Sequence, residues 1–159
     1  MLGRVLEGWQ ISGVTTFQTG LHFSVFGYRD SQRTGVSDRA DIVGDLTPPA
    51  GHPKNMTGPP LSAFALPPFD TAGTSGRNHF TGPGTNNWNA VVAKNIKVTE
   101  RLHLQFRAEC YNLFNRTAFD LPQGQMIDAG TFGLSTSTLT QPDGTTSARQ
   151  MQFGLKILF

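Results

Sequence analysis

Charge is scarce in this chain: Asp, Glu, Lys and Arg make up 15 % of its 159 residues, and the formal net charge is only +2. So little charge argues against a soluble helical domain. The basic residues are scattered, with no Lys/Arg run, which leaves no electrostatic footprint for nucleic acid and no such partner to expect. Cysteine is nearly absent as well. Cys110 is the single one, which excludes an internal disulfide and a cysteine metal cluster and leaves it the role of a small hydrophobe. No window approaches ~18 uninterrupted apolar residues, so no transmembrane helix is expected. The opening MLGRVLEGWQ has no apolar h-region and does not read as a signal peptide. If the protein works outside the cytoplasm, the expectation is that this chain is a piece of something longer.

What is present is turn formers, aromatics and alternation. The chain holds 18 Gly, 10 Pro and 12 Phe, a composition of turns and loops more than of helices. Its last stretch, Arg149 to Phe159, places Met151, Phe153, Leu155, Ile157 and Phe159 on one parity. Gln150, Gln152, Gly154 and Lys156 lie on the other, broken by Leu158. A strand sends alternate side chains to opposite faces, so this one has an apolar face and a polar one. That pattern suits a half-buried strand of a soluble sheet and equally a barrel strand, greasy toward lipid and polar toward the lumen.

Three further segments alternate. Residues 8–26 carry Trp9, Ile11, Phe17, Leu21, Phe23 and Val25 on one parity, which reads as a long strand bent near Gly20. Residues 89–99 alternate with Lys94 intruding on the apolar parity. Residues 102–114 set Leu102, Leu104, Phe106, Ala108, Cys110 and Phe114 against His103, Gln105, Arg107, Glu109 and Tyr111. The short polar turn Thr99–Glu100–Arg101 makes these last two a hairpin. The connections 27–88 and 115–148 are rich in Pro, Gly, Asn and Asp, include an Asp143–Gly144 turn signal, and show no regular element. Long, short and long connections are the order expected when turns lie on one side of a membrane and loops on the other. The expected fold is all-β: antiparallel strands of a partial transmembrane β-barrel with long extracellular loops.

Little points to catalysis. His22, His52, His79 and His103 lack ligand spacing. Gly82–Pro83–Gly84 is too short for a phosphate loop, and Pro83 removes an amide donor. Arg107 and Glu109 share a polar strand face, as an ordinary ion pair would. Asn55–Met56–Thr57 and Asn115–Arg116–Thr117 match a sequon too common to weigh. No nucleophile–base pair is evident, so no enzyme, metal or cofactor is expected.

The ordered series SGRNHFTGPGTNNW, KNIKVTERLHLQFRAECYNLFNRTAFDLP, Phe132–Gly133 and RQMQFGLKILF resembles the C-terminal barrel end of TonB-dependent outer-membrane receptors of the Oar-like group, which carry a carboxypeptidase-regulatory-like N-terminal domain. The opening GWQISGVTTFQTG and Arg39–Ala40–Asp41 before Val43–Gly44 fit the same group. The most specific block is RAECYNLFNRTAF, where Cys110 stands in place of an expected aromatic. The resemblance implies an outer-membrane location and a barrel of ~22 strands, of which this chain supplies about four. It also implies a TonB partner, engaged through parts not in this chain, and uptake of a small or oligomeric nutrient. Phe153, Leu155, Ile157 and Phe159 would be the C-terminal signal read by the barrel-assembly machinery, and the lipid bilayer would be the partner of the apolar face. Trp88, Phe64, Phe69 and Phe80 could stack on a ligand, or pack locally. The competing expectation is a secreted soluble β-sandwich that binds carbohydrate or mediates adhesion, with its apolar faces packed together. A remnant of a split gene would share the features of the barrel reading.

Overall fold

The computed structural model describes residues 7–140 and 147–159; the Asp143–Gly144 turn lies outside them. The described residues form eight strands and one short 3-10 turn, Leu61–Ala63. The strands in chain order are β1 (Trp9–Gln18), β2 (His22–Phe23), β3 (Asp41–Ile42), β4 (Phe64–Ala65), β5 (Phe80–Thr81), β6 (Thr85–Lys97), β7 (His103–Tyr111) and β8 (Gln150–Leu158). They divide between two compact units, one drawn from 7–17, 86–117 and 147–159, the other from 18–85 and 118–139.

The first unit is a four-stranded antiparallel sheet in the order β1-β6-β7-β8. The β6–β7 hairpin pairs Lys97 with His103 and runs to Ala90 opposite Cys110. Its turn closes where the Val98 and Thr99 amides donate to the Leu102 carbonyl and the Leu102 amide donates to Thr99 Oγ1. The β7–β8 ladder runs from His103 opposite Leu158 to Tyr111 opposite Gln150. β1 and β8 lie at the two edges of this sheet.

The strands differ in extent from what periodicity suggests, and each difference has a local cause. β1 stops at Gln18 rather than near residue 26. Two residues on, the chain crosses its own backbone so closely that a Cβ on Gly20 would stand 1.8 Å from the Gly82 carbonyl oxygen. β7 stops at Tyr111 rather than near 114, because Asn112 turns to a positive φ of 51°, a conformation that Asn tolerates better than most residues. β6 starts at Thr85, inside an Asn-rich run whose composition favours turns; its neighbours in the sheet override that preference.

The second unit corrects the expectation that 27–88 lacks regular structure; the described residues of 115–148 form isolated bridges but no strand or helix. β2 pairs with β5 (His22 with Thr81, Phe23 with Phe80), and β3 pairs with β4 (Asp41 with Ala65, Ile42 with Phe64). Phe23, Val25, Ala40, Ala63, Phe64, Phe80 and Phe132 form a buried core, with Ile42, Leu46, Leu61, Leu121 and Met126 packed against it. Phe64 is its centre: its ring meets Phe80 at 5.5 Å and Phe132 at 5.6 Å between centroids, both edge-on, the geometry that aromatic quadrupoles favour. The connections are therefore a folded body with its own hydrophobic core.

Candidate functional site

The sheet has two chemically opposed faces. β6, β7 and β8 align Ala90, Cys110 and Met151 in one row, Val92, Ala108 and Phe153 in the next, Lys94, Phe106 and Leu155 in the third, and Ile96, Leu104 and Ile157 in the fourth. All but Lys94 are apolar. The large members are open to solvent: Phe153 is 67 % and Leu155 68 % exposed, and Ile11 and Phe17 on β1 are similarly bare. Phe106 and Phe153 stack at 6.3 Å. A soluble sandwich would cover such a face with a second sheet; this unit consists of a single four-stranded sheet.

Nine residues of β7 at about 3.4 Å each, tilted about 40°, rise roughly 23 Å along a membrane normal. An outer-membrane barrel has an apolar band of about 25 Å, flanked by aromatic girdles. The rings fall where such girdles belong. Where β1 ends and β7 leaves the sheet, Trp88 meets Phe17 at 6.0 Å and Phe114 at 5.6 Å, both edge-on. At the hairpin-turn end, Trp9 lies under Lys94 Nζ, 4.7 Å from the ring centroid, and the same ammonium donates to the Glu7 carbonyl oxygen. The cation on the apolar parity is thus led along the face to a polar partner and a ring, as snorkelling lysines are.

The opposite face is mostly polar. Gln10, Ser12, Gln105 and Arg107 border a small depression there, with Val91 and Ala93 of β6 between them. Arg107 Nε pairs with Glu109 Oε1, and Tyr111 donates to Glu109 Oε2 at 2.7 Å. Arg107 remains half exposed, so the pair fixes side-chain direction more than it adds stability.

Phe153, Leu155 and Ile157 lie together on the apolar face, and Phe159 follows the last residue of β8 fully exposed. The four aromatics singled out as ligand candidates separate. Phe64 and Phe80 are core residues. Trp88 belongs to the ring cluster. Phe69 is exposed, with the Arg29 guanidinium 4.6 Å above its ring. The block RAECYNLFNRTAF also acquires a physical meaning. Asn112 and Asn115 both take positive φ. Asn112 binds the Arg116 backbone through both side-chain ends, and Asn115 Oδ1 accepts the Arg149 amide at 3.2 Å, tying the end of β7 to the entry of β8. The signal for this tie was the pair of Asn residues around Leu113–Phe114, which spacing rules do not single out.

In the loop unit, Asp38 is buried and accepts hydrogen bonds from the Ser31 amide (3.0 Å) and hydroxyl (2.7 Å). These bonds, the backbone one first, hold its carboxyl below the ordinary range, with the Arg29 charge adding to them. Asp45 is lowered in the same way by the Thr47 amide and hydroxyl. Among the described residues no three His, Cys, Asp or Glu side chains gather as a metal site would need.

A family model described as "Outer membrane beta barrel domain" matches residues 1–152. No curated protein and no solved structure matches significantly. A match over nearly the whole chain agrees with the open two-faced sheet and the ring clusters at its ends: the chain belongs to the outer membrane beta barrel domain family, and its place is the outer membrane.

Proposed function

We propose that the chain supplies wall strands and extracellular loops to a TonB-dependent receptor of the Oar-like group, which takes a nutrient through the outer membrane using energy delivered by TonB. The observation that carries this reading is the loop unit. A passive wall needs only turns, yet here more than half of the described residues build a separate body with an aromatic core. Ordered loops on a rigid scaffold are where binding residues concentrate. The polar sheet face, with Arg107 held by Glu109, gives the lumen side a fixed charged surface on which a plug can seat. The motif series from Ser75 to Phe159 supports the receptor group, and in this reading Phe153, Leu155, Ile157 and Phe159 are what the assembly machinery reads.

The free edges of β1 and β8 must be paired by further strands, because lipid offers no hydrogen bonds to backbone groups. The receptor reading supplies those strands from the rest of the barrel, along with the plug and the TonB contact. The test is uptake. Cells producing the protein should accumulate its ligand only while TonB is present and the proton gradient is intact. Uptake that persists after both are removed would mean a passive pore and sink the reading.

A further inference from the structure

The loop unit holds a cavity of about 630 Å³, within the range of small-molecule sites. Two guanidinium groups, Arg39 and Arg77, line it against one carboxylate, Asp38. That carboxylate is already engaged by Ser31. Neither arginine is ion-paired among the described residues, so the lining has an excess of positive charge.

Arg39 Nε is buried and has no hydrogen-bond partner among the described residues. Arg29 Nε is in the same position, but the Arg29 guanidinium donates to the Pro67 carbonyl at 2.9 Å and lies over Phe69. Arg39 has no comparable engagement among the described residues. A buried donor without a partner carries an uncompensated desolvation cost, and a bound anion would offset it through the same delocalised cation. The guanidinium fork matches the two coplanar oxygens of a carboxylate. The rest of the lining suits hydroxyl groups and a sugar ring: Gln32 offers both donors and acceptors, the Thr34 hydroxyl, which donates within its own turn, offers an acceptor, and half-buried Phe26 offers an aromatic surface.

We infer that this cavity binds a carboxylated saccharide, the carboxylate on Arg39 and Arg77 and the hydroxyls on Gln32 and Thr34. The assignment rests on the receptor reading and names its substrate class. A free phosphate would use the arginines and the Gln32 amide and leave the Phe26 ring and the Thr34 acceptor idle.

The experiment is equilibrium binding of a labelled uronic-acid disaccharide to outer membranes isolated from cells producing the protein. Saturable binding is expected, with the neutral disaccharide at least about tenfold weaker, since it lacks the charge-assisted bonds. Inorganic phosphate should not displace the uronate. Arg77→Gln should weaken binding by about tenfold or more; Arg77 is exposed, so the fold should tolerate the change, and immunoblotting fixes the amount of protein. Arg39→Lys, which keeps the charge but loses the fork, should weaken it too. Equal binding of the neutral sugar, displacement by phosphate, or indifference to Arg77→Gln overturns the assignment. Binding to isolated membranes needs no energy, so it separates from the transport test. Uronate binding with TonB-independent uptake defeats the receptor reading and leaves the site. Energised uptake of some other nutrient without uronate binding does the reverse.

Discussion

Asn112 closes a ring on Arg116: its Oδ1 accepts the Arg116 amide at 2.9 Å, and its Nδ2 donates to the Arg116 carbonyl at 2.8 Å. Asn112 is buried and at positive φ. Its Nδ2 also donates to the Ser147 carbonyl, so Asn112→Ala removes three bonds and adds backbone strain, and should cost about 2–4 kcal/mol. The measurement is the urea midpoint of the complete barrel containing this chain, refolded into lipid vesicles. Asn112→Gly, which is free of the strain, should cost less than Ala; equal stability of wild type and Asn112→Ala would dismiss the ring as incidental.

Lys94 and Val92 share the apolar face of β6 but not its environment. Lys94 reaches Trp9 and the Glu7 carbonyl, whereas Val92 sits between Phe106 and Cys110 on the neighbouring strand's face, opposite Ala108. Val92→Lys should cost about 2–4 kcal/mol, the depth-dependent penalty of a mid-membrane cation. Lys94→Leu should change stability by no more than about 1 kcal/mol, as near an interface. The same vesicle titration reads both, and similar costs at the two positions would contradict the placement of the band.

Phe64 tests whether the loops are a folded body. Phe64→Ala opens a cavity among Phe80 and Phe132 and should cost about 3–5 kcal/mol of loop-unit stability. Limited proteolysis of intact cells should then cut within 44–58 at protease levels that spare the wild type. Unchanged resistance would mean that the aromatic cluster holds nothing together.

Acid should loosen the same body. The folded-state pKa of Asp38 is depressed, so its contribution is fully present above the unfolded value and is lost as pH falls through the lower folded value. The window lies below about pH 4, with Asp45 acting in the same direction. Loop protease resistance should fall over that window in the wild type and less steeply in Asp38→Asn. Parallel curves would remove Asp38 as a cause.

The wall was legible in the sequence because its cause is local. A period of two over 102–114 and 149–159 needs no knowledge of partners, and β7 and β8 follow it closely. Lys94 was visible as an interruption, but its explanation lies with Trp9 and Glu7, more than eighty residues away along the chain. The loop core was illegible for the same physical reason. Phe23, Ala40, Phe64, Phe80 and Phe132 are separated by long stretches and obey no period, so only the folded arrangement shows that they meet. The cavity residues Arg39 and Arg77 are likewise brought together by folding; in sequence, Arg39 appears merely as part of a short Arg–Ala–Asp stretch.

The pairing of β2 with β5 has a kinetic consequence for the wall. β1 and β6 are adjacent in the sheet but separated by segment 19–84, and closing a flexible loop of that length costs roughly 3–4 kcal/mol of chain entropy. Once His22 and Phe23 have met Thr81 and Phe80, most of that loop is already closed, and only a few residues separate the joined segment from Gln18 on one side and Thr85 on the other. If the loop body folds first, it acts as a clasp: it would present two distant strands to each other as a near-hairpin, and a long-range sheet contact would form at nearly local speed.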